Sequence, residues 1–182
     1  MGHLSAVELE RHLDRLRAAP TDAGTLALVV RRPSDRSRDI VSEGVLDVEV
    51  GLVGDNWLIR GSMSTSDGSA NPDAQITVMS HRMVSVLSDD PEVQALAGDQ
   101  LYVDLDLSVT NLSVGTRIAI GEAVLEISAK PHTGCAKFVD RFGPEAMRFV
   151  AGRVGRELRL RGLNARVLTG GIVRVGDLVH KL

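Results

Sequence analysis

The sequence predicts a mainly β fold, a β-barrel or rolled sheet with a few peripheral α-helices. Three observations predict it: many short apolar runs joined by glycine turns, only two or three segments with helical periodicity, and a core supplied almost wholly by aliphatic side chains. Valine occurs 23 times in 182 residues against three Phe, one Tyr and one Trp, a bias that favours strands. With 43% apolar residues over this length, the chain can bury a core of ordinary size without a disulfide or metal staple.

The elements follow in order. Ser5 to Ala18 reads as a helix: Ser5 and Glu8 form an S-x-x-E capping box, and Leu9, Leu13 and Leu16 recur at helical spacing before Pro20. Residues 1–24 are thus expected to be a helical appendage and residues 25–182 the barrel domain. Thr25 to Arg31 is a strand-like run, and Leu46, Val48 and Val50 alternate with Asp47 and Glu49 as on a half-buried strand; Arg32 to Asp39 between them is a loop. Gly51 to Asn71 is rich in Gly, Ser, Asp and Asn and holds the only tryptophan, Trp57, so it is the first place to expect ligand contacts.

Ile76 to Met79 reads as a strand and Pro91 to Ala97 as a short helix opening on Pro. Leu101 to Leu105, Thr116 to Ile120 and Ala123 to Ser128 follow as short strands. Phe138 to Leu160 is helical, broken near Gly143 and Pro144, with Met147, Val150, Val154 and Leu158 as its apolar stripe. Ala165 to Leu168, Ile172 to Val175 and Leu178 to His180 are three closing strands separated by Gly170-Gly171 and Gly176-Asp177.

Composition excludes several classes. One cysteine permits no internal disulfide, and the charged first twenty residues lack an apolar secretory region, so a soluble cytoplasmic protein is expected. No apolar stretch near the start approaches a membrane span. Five aromatics in all and a net charge of −3 argue against nucleic acid as a partner. The charge is uneven, however: Val86 to Ile127 sums to −7 (one basic residue less eight acidic) and Lys130 to Arg174 to +7 (ten basic less three acidic). That field suits an anionic ligand, or equally two faces of one domain that attract each other.

No phosphate-binding P-loop, dinucleotide G-x-G-x-x-G, H-E-x-x-H, C-x-x-C or G-x-S-x-G pattern occurs. What remains is Lys130-Pro131-His132-Thr133-Gly134-Cys135-Ala136-Lys137. A thiol attacks only as thiolate, a form favoured by nearby cations and by helix N-termini. Lys130, His132 and Lys137 supply the former, and a helix starting at the cysteine would supply the latter. Cys135 is therefore either a nucleophile or a small buried hydrophobe, and His132 either its base or a surface imidazole. His3, His12, His81 and His180 show no ligand spacing. Asp104 and Asp106 are either a carboxylate pair or a solvated strand face.

From the central loop to the end, a series of short motifs resembles the MOSC domain, the family named after the C-terminal part of molybdenum cofactor sulfurases. The matches are Gly51-Leu52-Val53-Gly54-Asp55, Asp106-Leu107-Ser108 with Asn111-Leu112, Val114-Gly115-Thr116 with Ile120-Gly121, Pro131-His132-x-x-Cys135, and Arg161-Gly162-Leu163-x-Ala165-x-Val167 running into Gly170-Gly171, Arg174 and Gly176-Asp177. The resemblance implies a MOSC-like barrel in which Cys135 accepts sulfur as a persulfide or contacts the molybdenum of a pterin cofactor. It implies Ser108 and Asn111 as hydrogen-bonding partners of that ligand, Arg60 and Arg161 as counter-charges beside Lys130, and Asp55 as the residue that shapes the loop. No pyridoxal phosphate domain is expected in this length, so sulfur would come from an external donor such as a cysteine desulfurase and pass to an acceptor such as a molybdoenzyme. Two alternatives stand beside it: a cysteine-dependent enzyme in which Cys135, with His132 and Lys137, acts on a small electrophile or a carbon–sulfur bond, and a non-catalytic barrel that binds an anion.

Overall fold

The computed structural model describes residues 3–182. Ser5 and Glu8 make the reciprocal capping box, which starts α1 (Ala6–Glu10). The helix expected from Ser5 to Ala18 is in fact two: the Arg11 N–H is shared between the Leu9 and Val7 carbonyls, tightening and ending α1, and α2 (Leu13–Arg17) begins after His12. Both lie on the outside of the barrel, where Leu9 and Leu16 are buried.

β1 (Ala23–Arg31) is the longest strand, and it closes the barrel because it serves three neighbours. Its first residues pair with the last strand of the chain, its middle with the later strand Leu101–Asp104, and its end with β2 (Asp39–Val41). An irregularity between Leu26 and Leu28 lets the strand switch faces: Leu26 and Val29 point into the barrel, Leu28 and Val30 out. β3 (Glu43–Asp47) stops earlier than its alternating pattern predicts, since the Asp47 carboxylate accepts from the Glu49 and Val50 amides at 2.8 and 2.9 Å and turns the chain. β4 (Gly51–Leu52) and the short helix α3 (Trp57–Arg60) then lie inside the segment read as one long loop, with Trp57 buried.

β5 (Ile76–Ser80) runs straight into α4 (His81–Leu87), a helix the sequence reading missed, capped by the Ser80 side chain. α5 (Pro91–Ala95) follows, with Pro at its first turn and Asp90 capping it. These helices make the crossover that allows β6 (Leu101–Asp104) to pair parallel with β5. β7 (Arg117–Ile120) and β8 (Ala123–Ile127) form a hairpin; α6 (Ala136–Ala151) and α7 (Arg153–Glu157) lead to β9 (Leu163–Thr169), β10 (Gly171–Arg174) and β11 (Leu178–Lys181). α6 is broken where expected, at Gly143 with φ 87°, a left-handed conformation that glycine adopts without strain. Its buried stripe is Phe138, Phe142, Ala146 and Val150, so of the four stripe residues expected only Val150 is fully buried.

Seven strands close the mixed barrel in the order β11-β7-β8-β9-β5-β6-β1, with β1 returning to β11, and β10-β3-β4 form a small second sheet. The fold class predicted from sequence is the one observed. The barrel interior is wholly aliphatic, while the buried Phe138, Phe142 and Tyr102 sit in the layer between barrel and helices. This explains how so few aromatics suffice. No described helix is long and apolar enough to cross a membrane.

Candidate functional site

At one end of the barrel, four connections meet around a cavity of about 710 Å³. They are the loop after β1, the α3 segment, the turn before β6, and the chain from Lys130 to Cys135 after β8; Arg161 and Asn164 add the approach to β9. Its size is within the range that holds a cofactor or small ligand.

The floor is built on two buried carboxylates. Asp99, fully buried, is bound on one oxygen by His132 Nε2 at 2.6 Å and on the other by Arg161 Nη1 at 2.6 Å. Burial alone pushes the Asp99 carboxyl up, but Arg161 and then His132 outweigh it and hold it at about 2. Burial in turn pulls the His132 imidazole below its ordinary value, against the attraction of Asp99. An ionised carboxylate can only accept, so the 2.6 Å contact assigns a proton to Nε2, which also lies 2.9 Å from Arg161 Nη1. Arg161 also donates to the Ala97 carbonyl at 3.0 Å and lies over the Phe138 ring at 5.0 Å. Gly162 next to it has φ 107°, and a Cβ there would meet the Val78 carbonyl oxygen at 2.3 Å and the His132 ring at 3.1 Å. Only glycine fits between strand and imidazole.

Asp55 makes the second buried pair, bidentate with Arg32 at 2.7 and 2.9 Å, and also accepts from the Arg32 and Trp57 amides. Arg32 reaches on to the Gly98 carbonyl at 3.0 Å, tying the β1 loop to the turn that carries Asp99.

The rim differs. Arg38, Arg60, Lys130, Lys137 and Arg141 also line the cavity, and the only carboxylate among the lining residues is Asp35, exposed and bound to Lys137 at 2.5 Å. Burial, then Arg141 and Arg32, depress Arg38; burial, then Arg32, depress Arg60. These cations repel one another, and Arg38, Arg60, Lys130 and Arg141 make no ion pair among the described residues. Arg38 Nε and Asn56 Oδ1 are buried without a hydrogen-bond partner among the described residues, a cost that a polar ligand would relieve.

Cys135 is exposed and lines this same cavity. It is the N-cap of α6, its carbonyl accepting from the Phe138 and Val139 amides while its side chain makes no capping bond.

Of the residues singled out from sequence, the structure brings together Cys135, His132, Lys137, Lys130, Arg60 and Arg161. Asp55 lies beneath them and holds the loop through Arg32. Ser108 and Asn111 do not line the cavity: Ser108 bonds Asp106, and Asn111 bonds the Thr21 and Asp106 carbonyls and accepts from Lys181, so both knit a turn at the barrel wall. Asp104 and Asp106 are not a carboxylate pair, since Asp104 binds Arg82 and Asp106 caps that turn. The opposed charge segments attract in part, through Asp99–Arg161 and Glu126–Arg166, yet enough cations are left over to line a cavity. Arg32, Arg38, Asp99 and Arg141 were missed. The Arg31-Arg32 to Arg38 run in a predicted loop carried a signal for the first two; Asp99 carried none.

Among the described residues no cluster of three or more His, Cys, Asp or Glu side chains is placed to hold a metal ion. The MOSC domain family model matches residues 65–180. The fold superposes on the YuaD protein of Bacillus subtilis with a TM-score of 0.65 at 16% identity, over 88% of this chain and 97% of that one. YiiM of Escherichia coli gives 0.54 at 20% identity, over 87% and 69% of the two chains. YiiM of Geobacillus stearothermophilus gives 0.54 at 13%, over 89% and 73%. At these identities the likeness is one of fold. No curated protein matches the chain in sequence.

Proposed function

We propose, from the premise that the chain belongs to the MOSC domain family, that its basic cavity holds an anionic ligand against the Cys135 thiol. On this reading the thiol carries sulfur as a persulfide or contacts the molybdenum of a pterin cofactor. The observation that supports it is an exposed cysteine on the wall of a cavity whose rim arginines and lysines outnumber its one carboxylate.

The cavity's chemistry fits such a cofactor: Arg38, Arg60 and Lys130 would hold its phosphate, and the unpartnered Asn56 Oδ1 would accept from its polar ring system. When bound, the cofactor supplies a metal that takes sulfur as a ligand. In sulfur carriage, the Cys135 sulfur attacks the outer sulfur of a donor persulfide. The donor's S–S bond breaks and the donor leaves as a thiolate, so no outside oxidant is needed. A cysteine desulfurase is the matching donor and a molybdoenzyme the matching acceptor.

Mass spectrometry after incubation with a cysteine desulfurase and free cysteine tests the reading. The wild-type protein is expected to gain one sulfur atom on Cys135, or to carry molybdenum as purified, and Cys135→Ala to do neither. A wild-type protein that shows neither would end it.

The Asp99–His132 pair favours a second reading, in which Cys135 attacks a small electrophile with His132 as base. Asp99 occupies Nε2–H, leaving Nδ1 as the ring's proton acceptor. The alkylation rate of Cys135 would then lose its His132-dependent pH limb in His132→Gln; an unchanged profile excludes this reading.

A further inference from the structure

A second cavity, of about 280 Å³, lies against the same Lys130–Thr133 segment but is walled by α6, α7 and the loop before β7. It shares Arg161 with the thiol-bearing cavity and does not include Cys135. Its composition is distinct: Val109, Val114, Val150 and Leu163 give an aliphatic surface, Arg156 and Arg159 stand beside it, and no aspartate or glutamate lines it.

Its lining sets this apart from an ordinary surface dent. Neither Arg156 nor Arg159 has an acidic partner among the described residues: Glu157, the nearest in sequence, is taken by Arg153. Arg159 takes the left-handed position of the cap that ends α7, with the Leu160 N–H donating to the Gly155 carbonyl at 2.8 Å, and its guanidinium is held at the cavity edge by the Leu112 carbonyl at 2.5 Å. Val109 and Val114, 44% and 58% exposed, leave apolar surface open at the same place. Arg161, buried at 6% exposure, adds an Nε with no partner among the described residues.

We infer that this cavity binds a small aliphatic carboxylate, its chain on the valines and Leu163 and its head on Arg156 and Arg159. A planar guanidinium matches a carboxylate in a fork that ammonium groups do not offer. Inorganic phosphate would satisfy the arginines but leave the aliphatic wall bare. The volume is at the small end for ligand pockets, which limits the chain to a short one.

The inference is independent of sulfur chemistry and is tested in Cys135→Ala protein by amide NMR titration with hexanoate, hexylamine and inorganic phosphate. Hexanoate is expected to shift the Val109, Val114 and Gly155 signals saturably, with hexylamine silent and phosphate weaker. Arg156→Ala, an exposed and unpaired position, is expected to weaken hexanoate on the order of tenfold. Val114→Trp, which fills the open edge while keeping both arginines in the chain, is expected to abolish it. The inference is overturned if hexanoate shifts are confined to Gly98 and Asn56 in the other cavity, if hexylamine or phosphate binds as well as hexanoate, or if neither substitution changes the affinity.

Discussion

The floor and the rim of the basic cavity are made of the same kinds of side chain, yet they differ in what balances their charge. On the floor Arg32 and Arg161 are buried and each is matched to a buried carboxylate, Asp55 or Asp99. On the rim Arg38 is partly buried and Arg60 exposed, and both stand among other cations without a carboxylate of their own. Paired floor cations fix the geometry of the loops, and unpaired rim cations are left free for a ligand. A cation's role here is read from its partner rather than from its type.

The strongest way to break this contrast is to remove a floor carboxylate. Asp99→Ala leaves Arg161 and His132 buried without their partner, and loss of about 3–5 kcal/mol of stability is expected in urea unfolding. Asp99→Asn, which keeps an acceptor, is expected to lose less. If the alanine variant unfolds at the wild-type urea midpoint, the floor is not structural.

A smaller effect follows from acid. The Asp99 carboxyl is held at about 2 when folded against an ordinary 3.8. Its stabilisation, about 2 kcal/mol, is therefore complete above the ordinary value and is lost as pH falls from there toward 2. His132 acts in the same direction: its folded value lies below 6.5, so the unfolded chain gains a proton first as pH drops under that point. Unfolding midpoints measured down to about pH 3 should fall more steeply for wild type than for Asp99→Asn. Parallel curves would contradict the pairing.

The smallest stability effect is expected on the rim. Arg60→Ala should change unfolding by less than about 1 kcal/mol, and Arg38→Ala should leave stability equal or raise it, because like-charge repulsion is relieved. Both should weaken binding of a molybdate or phosphate probe several-fold and flatten its salt dependence. If either variant instead unfolds readily and binds the probe normally, floor and rim have exchanged roles.

The sequence disclosed the barrel because its strands carry their own punctuation: glycine joints, valine-rich runs and the Ser5–Glu8 and Pro91 helix starts are all local. α4 was hidden since β5 flows into it with no turn residues, and only the Ser80 cap marks the change. The site was legible to the extent that it is contiguous: Lys130, His132, Cys135 and Lys137 fall within eight residues. Asp99 was not, because its partners lie 33 and 62 positions away and it looked like one more member of an acidic stretch. Ser108 and Asn111 were drawn in by motif order, which does not distinguish a residue that knits a turn from one that meets a ligand.

The start of α6 bears on how the thiol is to be interrogated. Cysteine is a poor helix cap, and the first amides of α6 receive nothing from its side chain. A hydroxyl in that place would accept from one of them, so Cys135→Ser is expected to gain about 1 kcal/mol in stability. Serine is thus no silent replacement for the sulfur: a more rigid first turn would be mistaken for the effect of losing the nucleophile, and alanine is the sounder comparison.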